Sequence, residues 1–134
     1  MTDTLRGLRV LIAEDNFLIG EALRETLLCF GCAVVGPIAD LAEVMGVIET
    51  SDIDAALLDV QLGDANILPA ASALAARGIP FIVTTGGGNP IGLPAVLARA
   101  PCLKKPFGAE QLEVVMNAAF PRGAGGGVKQ NSAE

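Results

Sequence analysis

The sequence predicts an α/β domain built on a five-stranded parallel sheet with helices on both faces, and three observations carry that expectation. Apolar runs of strand length alternate five times with segments of helical character along 134 residues, the pattern of repeated right-handed crossover units. The runs VLIA and AALL are continuously apolar, as strands buried on both faces are. Three runs then stop on charge: VLIA on Glu14-Asp15, AALL on Asp59 and CLK on Lys105-Pro106. Such positions lie at the carboxyl rim of an open α/β sheet, where ligands collect.

Taken in order, residues 8–13 read as the first strand and 17–28 as an amphipathic helix with Leu18, Ala22 and Leu28 among its apolar positions. Gly31 breaks that helix. Residues 33–35 give a second strand that ends at Gly36-Pro37, and Asp40 caps a helix over 41–48, with Glu43 at capping-box spacing. Residues 54–58 make the third strand. Pro69 fits a first helical turn, and the alanine-rich stretch 70–76 continues it until Arg77-Gly78. Residues 81–84 form the fourth strand. Segment 86–94 holds too many Gly and Pro residues for a helix and is expected to be a mobile loop, leaving 95–99 about one helical turn. Residues 101–104 are the fifth strand, and 109–120 a closing helix with Leu112, Val115, Met116 and Ala119 at helical spacing. The domain thus occupies residues 1–120, and 121–134, turning to GAGGG and polar residues, is expected to be a disordered tail with no output module. The expected strand order, 2-1-3-4-5, makes strands one and three neighbours at the switch point and converges Glu14, Asp15 and Asp59 on one crevice.

Composition narrows the function. The length suits one domain, and 51% of residues are apolar, yet no uncharged stretch nears the roughly 18 residues that span a bilayer. The start, MTDTLRG, has no secretory apolar region, so a soluble cytoplasmic protein is expected, off the membrane. Asp and Glu number 15 against 9 Lys and Arg, without a basic stripe or aromatic platform, which argues against a nucleic-acid face. There is no histidine; the commonest general base and metal ligand is missing, and the chain carries no phosphohistidine itself. Cys29 and Cys32 match C-x-x-C spacing, but zinc needs two more ligands and a redox pair belongs at a helix start, whereas this one follows a helix end. Small buried residues at a turn are the simpler account.

Three carboxylates in one crevice repel by roughly 4 kcal/mol per pair at 4 Å for an effective dielectric near 20, unless a cation lies among them. A hard divalent ion such as Mg²⁺ suits them. With an acidic pair after strand one, an aspartate after strand three, Thr85 after strand four and Lys105-Pro106 after strand five, the chain resembles the receiver domain of two-component response regulators over nearly all of residues 8–120. The resemblance implies a flavodoxin-like fold and a phosphoacceptor role for Asp59. It implies that Asp15 binds Mg²⁺ directly and Glu14 directly or through a water, with Asp59 and the Gln61 backbone carbonyl, that Lys105 and Thr85 contact phosphoryl oxygens, and that Gly86 keeps the approach clear. A cis Lys105-Pro106 bond is implied too. Lys104 is expected to point away, and Thr84 to face the opposite side of its strand from Thr85. The stretch 80–88 is similar to the FATGUY subgroup, often stand-alone receivers: Thr85-Gly86 is retained, while Val83-Thr84 replace Phe-Ala and Gly87-Gly88 replace the last two positions.

One departure concerns switching. Many receivers carry an aromatic residue or His three positions before the lysine, where this chain has Cys102; the expectation is that phosphorylation instead moves the Gly-rich loop and the short helix after it. The resemblance implies a non-enzymatic signalling module, a monomer or weak dimer, phosphorylated by a histidine kinase or histidine phosphotransfer protein and read by a downstream protein. Two alternatives stand beside it. One is a phosphorylation-independent interaction module of the same fold, which has no need of the full charged set. The other is a haloacid-dehalogenase-like phosphatase, which wants an aspartate where Gln61 stands.

Overall fold

Along the described residues, 5–86 and 94–120, the computed structural model runs β1 (Arg9–Ala13), α1 (Phe17–Cys29), β2 (Ala33–Ile38), α2 (Leu41–Thr50), β3 (Ala55–Asp59), β4 (Gln61–Leu62), β5 (Ala65–Asn66), α3 (Leu68–Ala76), β6 (Phe81–Thr85), α4 (Ala95–Ala98), β7 (Cys102–Lys104) and α5 (Ala109–Ala119). The main sheet has the order β2-β1-β3-β6-β7 with every pairing parallel. This is the flavodoxin-like order that the sequence predicts, with the small β4-β5 hairpin standing outside the sheet.

The period-2 alternation of a strand splits the core in two. Val10, Ile12, Ala55, Leu57, Ile82 and Leu103 pack with Leu23 and Leu27 of α1 and Leu112 and Met116 of α5. Their sequence neighbours Leu11, Ala13, Ala56, Leu58, Phe81 and Val83 pack on the other face with α2, α3 and Leu97 of α4. β3 is central and buried along its whole length. Its run therefore ends on a carboxylate, Asp59, only where the strand emerges between its neighbours.

Helix starts follow local chemistry. Asn16 accepts from Ile19 N at 3.0 Å to cap α1, and Asp40 accepts from Glu43 N at 3.1 Å to cap α2. Pro69 sits in the first turn of α3, and most ends fall within a residue or two of the expected ones. Cys29 and Cys32 are free thiols, the first exposed and the second buried.

Two features depart from the expected elements. β2 continues through Gly36-Pro37 to Ile38, because the pair is absorbed as a bulge: Leu11 pairs with Val35 but Ala13 with Ile38, which gives β2 one residue more than β1. Gly36 has φ +106°, and a Cβ there would lie 2.7 Å from the Ile12 carbonyl oxygen, so only glycine fits. The second departure is the β4-β5 hairpin, a two-residue pairing that apolar periodicity does not register. The expected Gly-rich loop falls partly, at 87–93, and the expected tail wholly, at 121–134, outside the described residues. No helix among the described residues is long and apolar enough to cross a membrane.

Candidate functional site

β1 and β3 pair directly, Ala13 opposite Leu58, so the residues that follow each strand emerge side by side. Glu14, Asp15 and Asp59 each present a carboxylate oxygen within 4.8 Å of the others. From the far side of the sheet, Lys105 reaches across: its Nζ lies 2.8 Å from Glu14 Oε1 and 2.9 Å from Asp59 Oδ2. Of the two adjacent lysines, Lys105 is half-buried in this crevice and Lys104 is exposed.

The acids are held unequally. Glu14 has a side chain only 1% exposed, with Oε2 accepting from Asn16 N at 3.0 Å and its own N–H bonded to Ile38 O at 3.0 Å. Asp15 is exposed, and its Oδ2 accepts from Gly63 N, in the hairpin turn, at 3.0 Å. Asp59 receives Gln61 N on Oδ1 at 3.2 Å, while the Gln61 side-chain amide donates to Gly63 O at 3.1 Å. The hairpin that sequence periodicity misses thus supplies main-chain donors to two of the three carboxylates.

Burial alone would lower the Lys105 ammonium. The close carboxylates of Glu14 and Asp59 outweigh it, by short contacts and Coulombic attraction, and hold the pKa above the usual lysine range. One ammonium nevertheless faces three acids. Glu14 Oε1 is buried and, though in ion-pair range of Lys105, has no partner in hydrogen-bond geometry. Three carboxylates around one ammonium leave the crevice short of positive charge, and a set of closely spaced oxygens suits a small hard cation.

Thr85 and Thr84 end β6. Asp59 is in register with Thr84, which is buried at 2% exposure, whereas Thr85 is half-buried and pairs with Lys104. Their carbonyls tie down the neighbouring loops: Thr84 O accepts Val60 N at 2.9 Å and Thr85 O accepts Lys105 N at 2.8 Å. Gly86 lines a cleft of about 580 Å³ that opens at Glu14, Asp15 and Lys105 and runs between α1 and α5 past Ile19 and Leu112. The Lys105-Pro106 bond is cis, and so is Gly36-Pro37. Cys102 is exposed on β7, at the edge of the sheet.

A comparison with solved structures places this arrangement. The chain is similar to SdrG from Sphingomonas melonis Fr1, at 35% identity and a TM-score of 0.74 over 84% of this chain and 95% of that one. It is similar to a response regulator receiver protein from Burkholderia phymatum, at 26% identity and a TM-score of 0.73 over 88% of this chain and 98% of that one. This chain is a receiver domain. The receiver domain of the sensor histidine kinase PA1611 from Pseudomonas aeruginosa PAO1 shares the fold at 23% identity and a TM-score of 0.73, over 85% of this chain and 98% of that one; its active-site cleft holds a magnesium ion. No protein-family model matches the chain, and no curated protein sequence does.

Among residues at the site of this receiver domain, Asn16 and Gly63 are absent from the expected set. Asn16 had a local signal, a capping residue directly before a helical apolar pattern. Gly63 had none, since it acts through a contact distant in sequence.

Proposed function

We propose that this receiver domain accepts a phosphoryl group on Asp59 from the phosphohistidine of a kinase or phosphotransfer protein in a Mg²⁺-dependent step, and signals in the cytoplasm through contacts with a downstream protein. The observation that carries the reading is the Lys105 ammonium, 2.8 Å from Glu14 and 2.9 Å from Asp59, with Asp15 completing the acidic cluster.

In this reading a carboxylate oxygen of Asp59 attacks phosphorus, an acyl phosphate O–P bond forms, and the P–N bond to the donor imidazole breaks with its electron pair returning to the ring. Negative charge spreads over the three equatorial oxygens, so positioned positive charge and donors supply what the protein can contribute. Lys105 is that charge, and its raised pKa keeps it an ammonium throughout the neutral range. Thr85, at the end of β6, donates its hydroxyl to a phosphoryl oxygen, and Gly86, whose added Cβ would meet nothing within 4 Å, leaves the approach open. Glu14, Asp15, Asp59 and the Gln61 carbonyl would hold Mg²⁺, which would supply positive charge for the crowded acids and the incoming phosphoryl oxygens. The PA1611 receiver domain, with magnesium in its cleft, supports that choice of ion.

A protein donor has to cover the mouth of the crevice to bring phosphorus to Asp59. Phe17 and Leu18, the first residues of α1 after Asp15 and Asn16, are 74% and 77% exposed. They are the apolar residues such a donor meets.

The test is incubation with Mg²⁺ and a small phosphodonor, followed by intact-mass measurement of the wild type and Asp59→Asn. The wild type is expected to gain one phosphoryl group and the variant none. Equal labelling of both removes Asp59 as the acceptor. Labelling of neither, with a histidine donor failing too, leaves an interaction module that does not use phosphorylation.

A further inference from the structure

The Glu14 side chain is nearly sealed from solvent, and something other than water has to set its position. Besides the Lys105 ammonium, 2.8 Å from Oε1, three contacts surround it. Its Oε2 is held by Asn16 N at 3.0 Å and its N–H by Ile38 O at 3.0 Å. Its methylene stem lies in the junction where α1 crosses the bulge of β2. There the buried Gly20 faces the Pro37 ring: a Cβ on Gly20 would lie 2.8 Å from Pro37 Cγ, 2.9 Å from Pro37 Cβ and 3.6 Å from Glu14 Cγ.

The junction is tight on all sides. Pro37 cannot retreat easily, because its ring is rigid and the bulge beneath it rests on Gly36, whose own added Cβ would strike Ile12 O at 2.7 Å. On the other side, Gly20 is fixed by its helical bond to Asn16 O at 2.9 Å, and Asn16 is the residue whose N–H holds Glu14. Displacement at the Gly20-Pro37 contact is therefore felt by Glu14 twice, through its stem and through Asn16.

We propose that the Gly20-Pro37 contact is a positioning element for the candidate metal site: packing of α1 on the β2 bulge holds the Glu14 carboxylate in the crevice, so Gly20, Gly36 and Pro37 act on the ion and on Lys105 through Glu14. This rests on the reading of the crevice as a Mg²⁺ site. Partners of metal-ligating groups typically carry 10- to 100-fold effects on affinity when disturbed, and a misplaced buried carboxylate falls in that class.

The experiment compares wild type, Gly20→Ala, Pro37→Gly and the double variant Gly20→Ala/Pro37→Gly, with Gly46→Ala, whose added Cβ meets nothing within 4 Å, as control. Mg²⁺ alone is titrated calorimetrically, and the Asn16 amide is followed by NMR in metal-free protein. Gly20→Ala is expected to bind Mg²⁺ about tenfold more weakly and to shift the Asn16 amide. The double variant, in which the proline ring is gone and the new methyl has room, is expected to recover most of both; Gly46→Ala is expected to match wild type. A folded Gly20→Ala with wild-type affinity and an unmoved Asn16 amide overturns the proposal, as does a double variant no better than the single ones. If Gly20→Ala does not fold, Pro37→Ala, which removes the packing of the ring instead of crowding it, is expected to weaken Mg²⁺ binding and shift the Asn16 amide, and wild-type values of both overturn the proposal. If the wild type itself binds no Mg²⁺, the metal reading fails, and the Asn16 amide still decides whether the contact positions Glu14.

Discussion

The inner wall of the crevice, carrying Glu14, and the outer wall, carrying Asp15, begin one residue apart in sequence and are built in opposite ways. Glu14 is sealed in by packing: its stem sits beside the α1-β2 junction, its side chain is 1% exposed, and it pairs with Lys105. Asp15 faces solvent and is tied by a main-chain N–H of the hairpin at 3.0 Å. The difference separates two tasks that a pair of adjacent acids shares. A buried carboxylate costs several kcal/mol to desolvate and repays it only through fixed partners, so Glu14 serves as a stationary counter-charge. An exposed one changes partners cheaply, so Asp15 is the member able to reorient.

The strongest way to break this contrast is to remove the charge that the inner wall is built around. Lys105→Met leaves Glu14 and Asp59 facing each other with side chains 1% and 9% exposed. Denaturant unfolding at neutral pH is expected to show a loss of about 3 kcal/mol. The pH dependence has a definite sign. Because the folded-state pKa of Lys105 is raised above the ordinary 10.5, its contribution is complete below that value and is lost as pH climbs through the raised one. The stability gap between wild type and Lys105→Met should be level from neutral pH towards 10.5 and close above it. A gap that closes well below that range would mean that Lys105 is not the charge responsible.

Next in size is the comparison of the acids themselves. Glu14→Gln deprives Lys105 of a buried partner and should cost about 1–2 kcal/mol, whereas Asp15→Asn should stay within about 0.5 kcal/mol of wild type. Both should abolish the Mg²⁺-dependent rise in Tm, which for the wild type corresponds to about 2.7 kcal/mol at a free ion concentration 100 times Kd. Equal costs for the two variants would erase the distinction between the walls.

A smaller effect concerns the mouth. Phe17→Ser with Leu18→Ser should slow transfer from a histidine phosphodonor protein about tenfold, the scale of one interface anchor, while labelling from a small phosphodonor is unchanged. The smallest effect is expected at Val114, 69% exposed on α5: Val114→Ser should alter stability by under about 0.5 kcal/mol and neither labelling route.

How far these walls can be read from sequence differs in an instructive way. β1, β3 and β7 were legible because each apolar run ends on charge, a signal carried by consecutive residues. The strand order follows from the alternation of strands and helices, and with it the meeting of Glu14, Asp15 and Asp59. The bulge in β2 was not legible: Gly36-Pro37 reads locally as a strand end, and the strand continues because β1 offers Ala13 as the next partner for Ile38. The β4-β5 hairpin escaped for a similar reason, since its few residues carry no periodicity and its worth lies in N–H groups aimed at Asp15 and Asp59. Side-chain chemistry was visible in the letters, and the backbone that aims it was not.

The last peptides of β6 have a consequence for motion. Thr84 O takes the N–H of Val60, next to Asp59, and Thr85 O takes the N–H of Lys105. The chain that carries Asp59 and the chain that carries Lys105 thus hang from adjacent carbonyls on one strand, like two pans from a single beam. A tilt of that beam cannot reach one without reaching the other.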